Sequence, residues 1–215
     1  MRGLFAVLVL AACGAADGPA EAPAAVESPQ TEPAVVATPE TCPYATAPKG
    51  HLLTWTAFKF TERLGVDGGF DALTVTAGHG GDEPWKAIDG MAFHIDTASV
   101  NTGNAGRDEK IRNHFFGTLA QPDTISGRIK ANSPGKATLF IELNGQRHAT
   151  VVDVSARAEG VELRGLIDVQ QWGAGAAIDA LNTVCRAVHT GDDGVSKLWS
   201  EVQLVATIPI ARVCR

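Results

Sequence analysis

Positive charge is scarce in this chain and nowhere massed. Its 18 Lys and Arg stand against 24 Asp and Glu, for a net charge of −6, and no two basic residues are adjacent. Nucleic acid and anionic lipid headgroups both call for clustered cations, so neither is an expected partner. The six His are dispersed, with no HxH or HExxH pattern. Cys185 and His189 have the spacing of half a metal site, but no second ligand pair accompanies them, and no metal is expected. No G-x-S-x-G elbow occurs, and Gly173-Ala174-Gly175 has neither the final Gly nor the βαβ context of a nucleotide loop. Asp192-Asp193-Gly194 has too few following ligands for a calcium loop. These gaps point away from an enzyme and toward a binding or structural protein with no cofactor.

No apolar run reaches the roughly 20 residues of a membrane-spanning helix. The run at residues 4–12, after Arg2, is shorter and suits the apolar core of an export signal. Leu10-Ala11-Ala12-Cys13 has the pattern of a bacterial lipobox, with small residues before an acylated Cys. An ordinary leader with a chance Cys is the alternative. The first reading gives a lipoprotein signal over residues 1–12 and a mature chain held by lipid (palmitate-type) acyl chains on Cys13. Multiple acyl chains make a durable membrane anchor. Gly14 rather than Asp after the Cys favours the outer membrane, facing the periplasm. Residues 13–41 are rich in Ala, Pro, Glu and Thr with few large apolar side chains, which predicts a disordered tether.

Three cysteines remain in the domain expected over residues 42–215: Cys42, Cys185 and Cys214. An odd number suits one disulfide and one spare thiol in an oxidising compartment. Cys42 precedes the first expected strand and Cys214 follows the last, which favours Cys42–Cys214. Cys42–Cys185 remains open.

Hydrophobicity in the domain alternates with period two. Strands are predicted at 51–60, 66–77, 90–100, 124–132, 136–144, 146–156, 161–169 and 201–210. Ile125, Gly127, Ile129 and Ala131 oppose Thr124, Ser126, Arg128 and Lys130; Val202, Leu204, Ala206 and Ile208 oppose Glu201, Gln203 and Thr207. Ser133-Pro134-Gly135 and Asn144-Gly145 are hairpin turns, and Asp67-Gly68-Gly69 should bend the second strand. A short helix is predicted from about Arg107, with Ile111 and Phe115 at i and i+4 and Phe116 alongside. A second, over 172–188, carries Ile178, Leu181 and Cys185 on one face and should cover one end of the fold. Eight sequential antiparallel strands with one dry face predict an all-β, up-and-down barrel, with one short helix after strand 3 and one helix before the last strand.

The segment from Asp96 to Phe116 is similar to the signature of the YceI-like family of bacterial polyisoprenoid-binding proteins. The matching residues are Asp96-Thr97, Ser99-Val100, Thr102, Arg107-Asp108, Ile111-Arg112 and Phe115-Phe116. Val66-Asp67-Gly68-Gly69-Phe70 and Ile167-Asp168 leading to Trp172-Gly173 resemble further family elements, so the likeness extends over about residues 51–211. Where the family pattern has a His after the first strand, this chain has Phe60-Thr61-Glu62-Arg63, and Gln170 or Gln171 stands for a late Arg. The resemblance implies a lipocalin-like barrel whose apolar channel holds an isoprenoid or quinone-like chain.

Phe93, Phe115 and Phe116 are then expected to line or close that channel. Trp55, Phe58, Phe60, Phe70 and Trp172 are further aromatic candidates, with Ile95, Leu139 and Ile141 from the apolar strand faces. Arg107 is the candidate contact for a ligand headgroup, its alternative being a structural salt bridge and helix cap. The function these features favour is an exported, membrane-tethered module holding a long apolar ligand. A ligand-free structural protein of the envelope and a quinone-presenting redox accessory are the alternatives.

Overall fold

The computed structural model describes residues 42–214. The expected signal (1–12), Cys13 as the expected site of acylation and the expected tether (13–41) lie outside the described residues.

Eleven antiparallel strands form one curved sheet, a half-barrel with few helices. In chain order they are β1 (Tyr44–Thr46), β2 (Leu52–Lys59), β3 (Leu64–Phe70), β4 (Leu73–Val75), β5 (Ala92–Asp96), β6 (Val100–Asn101), β7 (Thr124–Ser133), β8 (Lys136–Leu143), β9 (Gln146–Arg157), β10 (Gly160–Asp168) and β11 (Leu198–Arg212). The path runs β4-β5-β7-β8-β9-β10-β11-β2-β3-β6, with β1 added beside the far end of β11.

Periodicity predicts eight strands, and the excess over eight has a local cause. The expected second strand breaks at Asp71-Ala72 into β3 and β4, and the third breaks at Thr97–Ser99 into β5 and β6. The third turns because the Asp96 carboxylate accepts from the Ala98 amide while Ser99 Oγ donates back to the Asp96 carbonyl. This is the local bonding by which Asp and Ser compete with a ladder. The kinked segments stay paired along both arms: Phe70 faces Val100, and Leu73 faces Ile95. The two ends of the strand path are therefore tied to one another through the kink. Asp67-Gly68-Gly69, expected to bend the strand, lies within β3, with Gly68 in the ladder opposite Trp55 and Gly69 opposite Asn101.

Both predicted hairpin turns are present. Asn144 and Gly145 have φ of 52° and 71°, the left-handed pair that a two-residue hairpin requires. The short β1 carries too few residues for a periodic signal, and its place beside β11 is fixed by the Cys42–Cys214 disulfide, which spans 172 residues. Cys185 is a buried free thiol.

The first helix, α1 (Ala105–Lys110), is capped by Asn104, whose side chain accepts from the Arg107 amide. It runs on through a wider turn, Ile111–Phe115, into a tight one, Phe116–Thr118. The single helix predicted over 172–188 is three pieces: a turn at Val169–Trp172, α2 (Gly175–Val184) and α3 (Arg186–His189). Gly173, at φ 70°, breaks the first from the second.

The interior is apolar and continuous. In β8, Ala137, Leu139, Ile141 and Leu143 are all buried, alternating with more exposed neighbours. At the end of β11 that carries β1, the Pro84–Ile88 turn packs on β1, β7, β9, β10 and β11, with Ala87 and Ile88 wholly buried. The helices stand at the other end, where Leu198 pairs with Lys59 and the Lys59 Nζ donates to the Val188 carbonyl.

Candidate functional site

The curve of the sheet encloses a cavity of about 220 Å³ with almost wholly apolar walls. Period-two alternation supplies the walls: Leu53, Trp55 and Ala57 from β2, and Val202, Leu204 and Ala206 from β11. The helical end adds Ile111, Phe115, Phe116, Ile178 and Leu181. The second helix thus covers one end of the cavity, as its apolar face implies.

Eight of the eleven expected lining residues meet at this cavity: Trp55, Phe70, Phe93, Ile95, Phe115, Phe116, Leu139 and Ile141. Four of their rings form a connected series. Trp55 lies 6.4 Å from Phe70, Phe70 lies 6.1 Å from Phe116, and Phe116 meets Phe115 edge-on at 5.1 Å. Aromatic pairs at these separations contribute beyond simple area burial. Phe116 is buried, and both rings stand in the cavity wall at its helical end.

Three expected residues lie elsewhere. Phe58 has the opposite strand parity from Trp55 and Ala57, and its ring lies under the Arg63 guanidinium at 4.8 Å. Phe60 occupies the β2–β3 turn at φ 62°, where its carbonyl accepts from Trp199 Nε1. Trp172 is buried, but in the core: its Nε1 donates to the Ile141 carbonyl at 3.1 Å, and its ring meets His148 edge-on. Trp172, at the end of the Val169–Trp172 turn, is not among the residues lining the cavity.

Arg107 does not reach the cavity either. It donates to Thr102 Oγ1 and to the Thr102 carbonyl, both at 2.8 Å. Its neighbour Asp108 is buried and accepts from the Thr102 amide and hydroxyl. The pair shapes the loop before α1, and no Arg107–Asp108 salt bridge forms among the described residues.

Trp199 and Leu198 line the cavity and were not expected there. The register of β11 against β2 shifts between Leu198 and Val202, so neighbouring residues both reach the interior, and parity cannot foretell this. Of the two indole nitrogens in the wall, Trp55 Nε1 donates to the Gly69 carbonyl at 3.4 Å and Trp199 Nε1 to the Phe60 carbonyl at 2.7 Å. One side-chain nitrogen in the wall stands out, His51 Nδ1, which is buried and has no hydrogen-bond partner.

Beneath the helical cover, His189 is buried, with Nδ1 3.0 Å from Asn182 Oδ1. Burial, with Lys59 and Lys110 adding positive potential, holds its pKa below the ordinary histidine value. Among the described residues no group of three or more His, Cys, Asp or Glu is placed to hold a metal ion, and no helix is long and apolar enough to cross a membrane.

A polyisoprenoid-binding domain from Saccharophagus degradans, implicated in plant cell wall breakdown, is similar in fold. It is 17% identical, with a TM-score of 0.53, over 80% of this chain and 99% of that one. BcnA of Burkholderia cenocepacia is similar at 16% identity and a TM-score of 0.52, over 77% of this chain and 99% of its own. No curated protein matches the sequence significantly. The model of the YceI-like domain matches residues 44–207, so this chain belongs to the YceI-like family.

Proposed function

We propose that this protein is a non-catalytic carrier of one long apolar molecule, held in the cavity under α2 and the Phe115-Phe116 pair. The observation that carries the proposal is the cavity itself: about 220 Å³, walled by apolar side chains. An engineered apolar cavity of about 150 Å³ stays dry yet takes up benzene, and drug-sized ligands occupy about 300–1,000 Å³. The size suits a slim chain, and an isoprenoid or quinone-like tail has that shape. Each Å² of apolar surface removed from water contributes about 25 cal/mol, which holds such a chain without a charged contact. The polyisoprenoid-binding neighbour supports the same class of ligand.

The protein acts outside the cytoplasm, lipid-anchored through Cys13 and lifted from the outer membrane by the 13–41 tether. The Cys42–Cys214 disulfide supports this compartment, since such bonds persist in the periplasm and are rare in the cytosol.

Organic extraction of the purified full chain, followed by mass spectrometry, tests the proposal. A single class of apolar molecule at near-unit stoichiometry is the expected result. A chain that yields no lipid, and takes none up from detergent-solubilised isoprenoids, overturns it in favour of a ligand-free structural role. A bound quinone that cycles between redox states identifies a redox accessory.

A further inference from the structure

We infer that the outer face of β7–β10 is a docking surface for an anionic lipid bilayer, from which the ligand is drawn. The inference goes beyond the carrier reading by naming what the carrier meets. Strand register assembles the surface. Phe140 lies opposite Arg128 on one side and Ala149 on the other, and Thr138 lies opposite Lys130 and Val151 in the same way. The β8 and β9 members alternate with the buried Ala137, Leu139, Ile141 and Val152, and Arg128 and Lys130 flank the buried Ile129, so the set faces outward. Val151 and Leu166 each stand two residues beyond the Asp153–Arg164 pair, on the same side of it. Val151 is 63% exposed, Leu166 50% and Phe140 36%. Single apolar residues on a surface are ordinary; these adjoin one another.

The charges around the patch do not cancel. The ion pairs Arg147–Glu142 and Lys136–Asp153 close it along the strands. At its β7 edge, the side chains of Arg128 and Lys130 have no ion-pair or hydrogen-bond partner among the described residues. Two uncompensated cations thus border an apolar centre in a chain whose net charge is −6. They sit at alternate positions of one strand and meet that centre only through pairing, so no basic cluster shows in the chain order. An apolar centre with an aromatic ring and cations at its edge suits the boundary of an anionic bilayer. What lies behind the patch favours lipid over a protein partner. The β9–β10 ladder ends at Asp153 and Arg164, although β9 extends to Gln146 and β10 to Asp168. In that unlinked stretch Gly165 and Ile167 border the cavity, while Leu166 between them faces the patch. A bilayer docked here lies over wall that ladder hydrogen bonds do not join. With the acyl anchor proposed at Cys13, the bilayer is at high effective concentration and a weak patch suffices.

Vesicle flotation tests this on the full chain carrying Cys13→Ser, so that no acyl chain contributes, with no isoprenoid present. Vesicles of phosphatidylethanolamine and phosphatidylglycerol should bind the protein, less so in high salt, and phosphatidylcholine alone should bind it weakly. Arg128→Gln with Lys130→Gln should lower affinity for the anionic vesicles by on the order of tenfold. Val151→Thr with Leu166→Thr, which keeps both positions compatible with a strand, should lower it too, including the part that survives high salt. Val184→Ser with Val188→Ser, at exposed positions of the helical end, should leave it unchanged. Melting temperatures show that each variant is folded. No binding to anionic vesicles, or loss in the helical-end variant but not in the patch variants, overturns the docking surface. A protein that ignores vesicles but forms a dimer that Val151→Thr with Leu166→Thr dissociates assigns the face to a second copy instead. The extraction experiment reads the carrier separately: a chain that yields lipid without docking keeps the carrier alone, and one that docks without yielding lipid keeps the surface alone.

Discussion

Gly68 lies against the indole of Trp55 across the β2–β3 ladder, so closely that a Cβ at position 68 would fall 2.3 Å from the ring. The glycine gives one of the two indoles of the cavity wall room to lie on its neighbour strand. Gly68→Ala is expected to swing Trp55 into the cavity or off its rotamer, at a cost of about 1–3 kcal/mol for overpacking. Urea denaturation and tryptophan fluorescence of the variant check this. An unchanged midpoint and spectrum would show that the ring is not held as described.

Cys42→Ser should loosen β1 from the end of β11 and destabilise the whole fold, because the bond joins the two ends of the described domain. Loss of a native disulfide typically costs about 2–5 kcal/mol. The denaturant midpoint of the original protein should fall on reduction to that of the serine variant. Cys185→Ser, at a buried free thiol, should leave the response to reductant intact.

Stability should fall on mild acidification through His189. Its folded-state pKa is lowered, chiefly by burial and then by Lys59 and Lys110, so the folded protein favours the neutral ring. As pH drops below the ordinary histidine value of about 6.5, the unfolded chain takes up the proton first, and the stability present above that pH is lost toward the lowered folded value. Melting temperature measured from pH 8 to pH 5 should decline over that window, and the decline should shrink in His189→Asn. The carboxylates Asp82, Glu162 and Asp193 are also lowered, chiefly by hydrogen bonds to Lys86, Arg157 and Thr61, but their contribution is lost only at more acid pH.

Phe93 and Phe58 are both aromatic strand residues, yet only the first faces the cavity. Phe93→Ala should weaken lipid retention by roughly tenfold or more, from about 1.5–3 kcal/mol of lost ring burial. Phe58→Ala should leave retention unchanged, since its ring contacts Arg63 on the opposite face. The lipid co-purifying with each variant, quantified by mass spectrometry, distinguishes them. Equal losses in both would mean that strand parity does not define the site.

The all-β class, the hairpins at Ser133-Pro134-Gly135 and Asn144-Gly145, and most of the apolar wall were legible from the chain alone. Strand alternation and left-handed turn chemistry are properties of a few neighbouring residues, and the tertiary structure leaves them in place. The same short-range rule explains the misplaced residues. Phe58, Phe60 and Trp172 are as aromatic as Phe93, and composition cannot tell an outer face, a turn or a buried indole from a cavity wall. On the chain alone Arg107 suits either a headgroup contact or a structural salt bridge and helix cap; in the fold its donors turn onto Thr102.

What the sequence settled by itself was therefore local: where the chain extends, where it reverses, and which side of each strand is apolar. The breaks at Asp71-Ala72 and Thr97–Ser99, the shift in β11 that admits Trp199, the choice of Cys214 over Cys185 and the isolation of His51 Nδ1 belong to the folded molecule. Each depends on what lies across a ladder or beneath a helix, tens of residues away, and such long-range packing leaves no periodic trace in the chain.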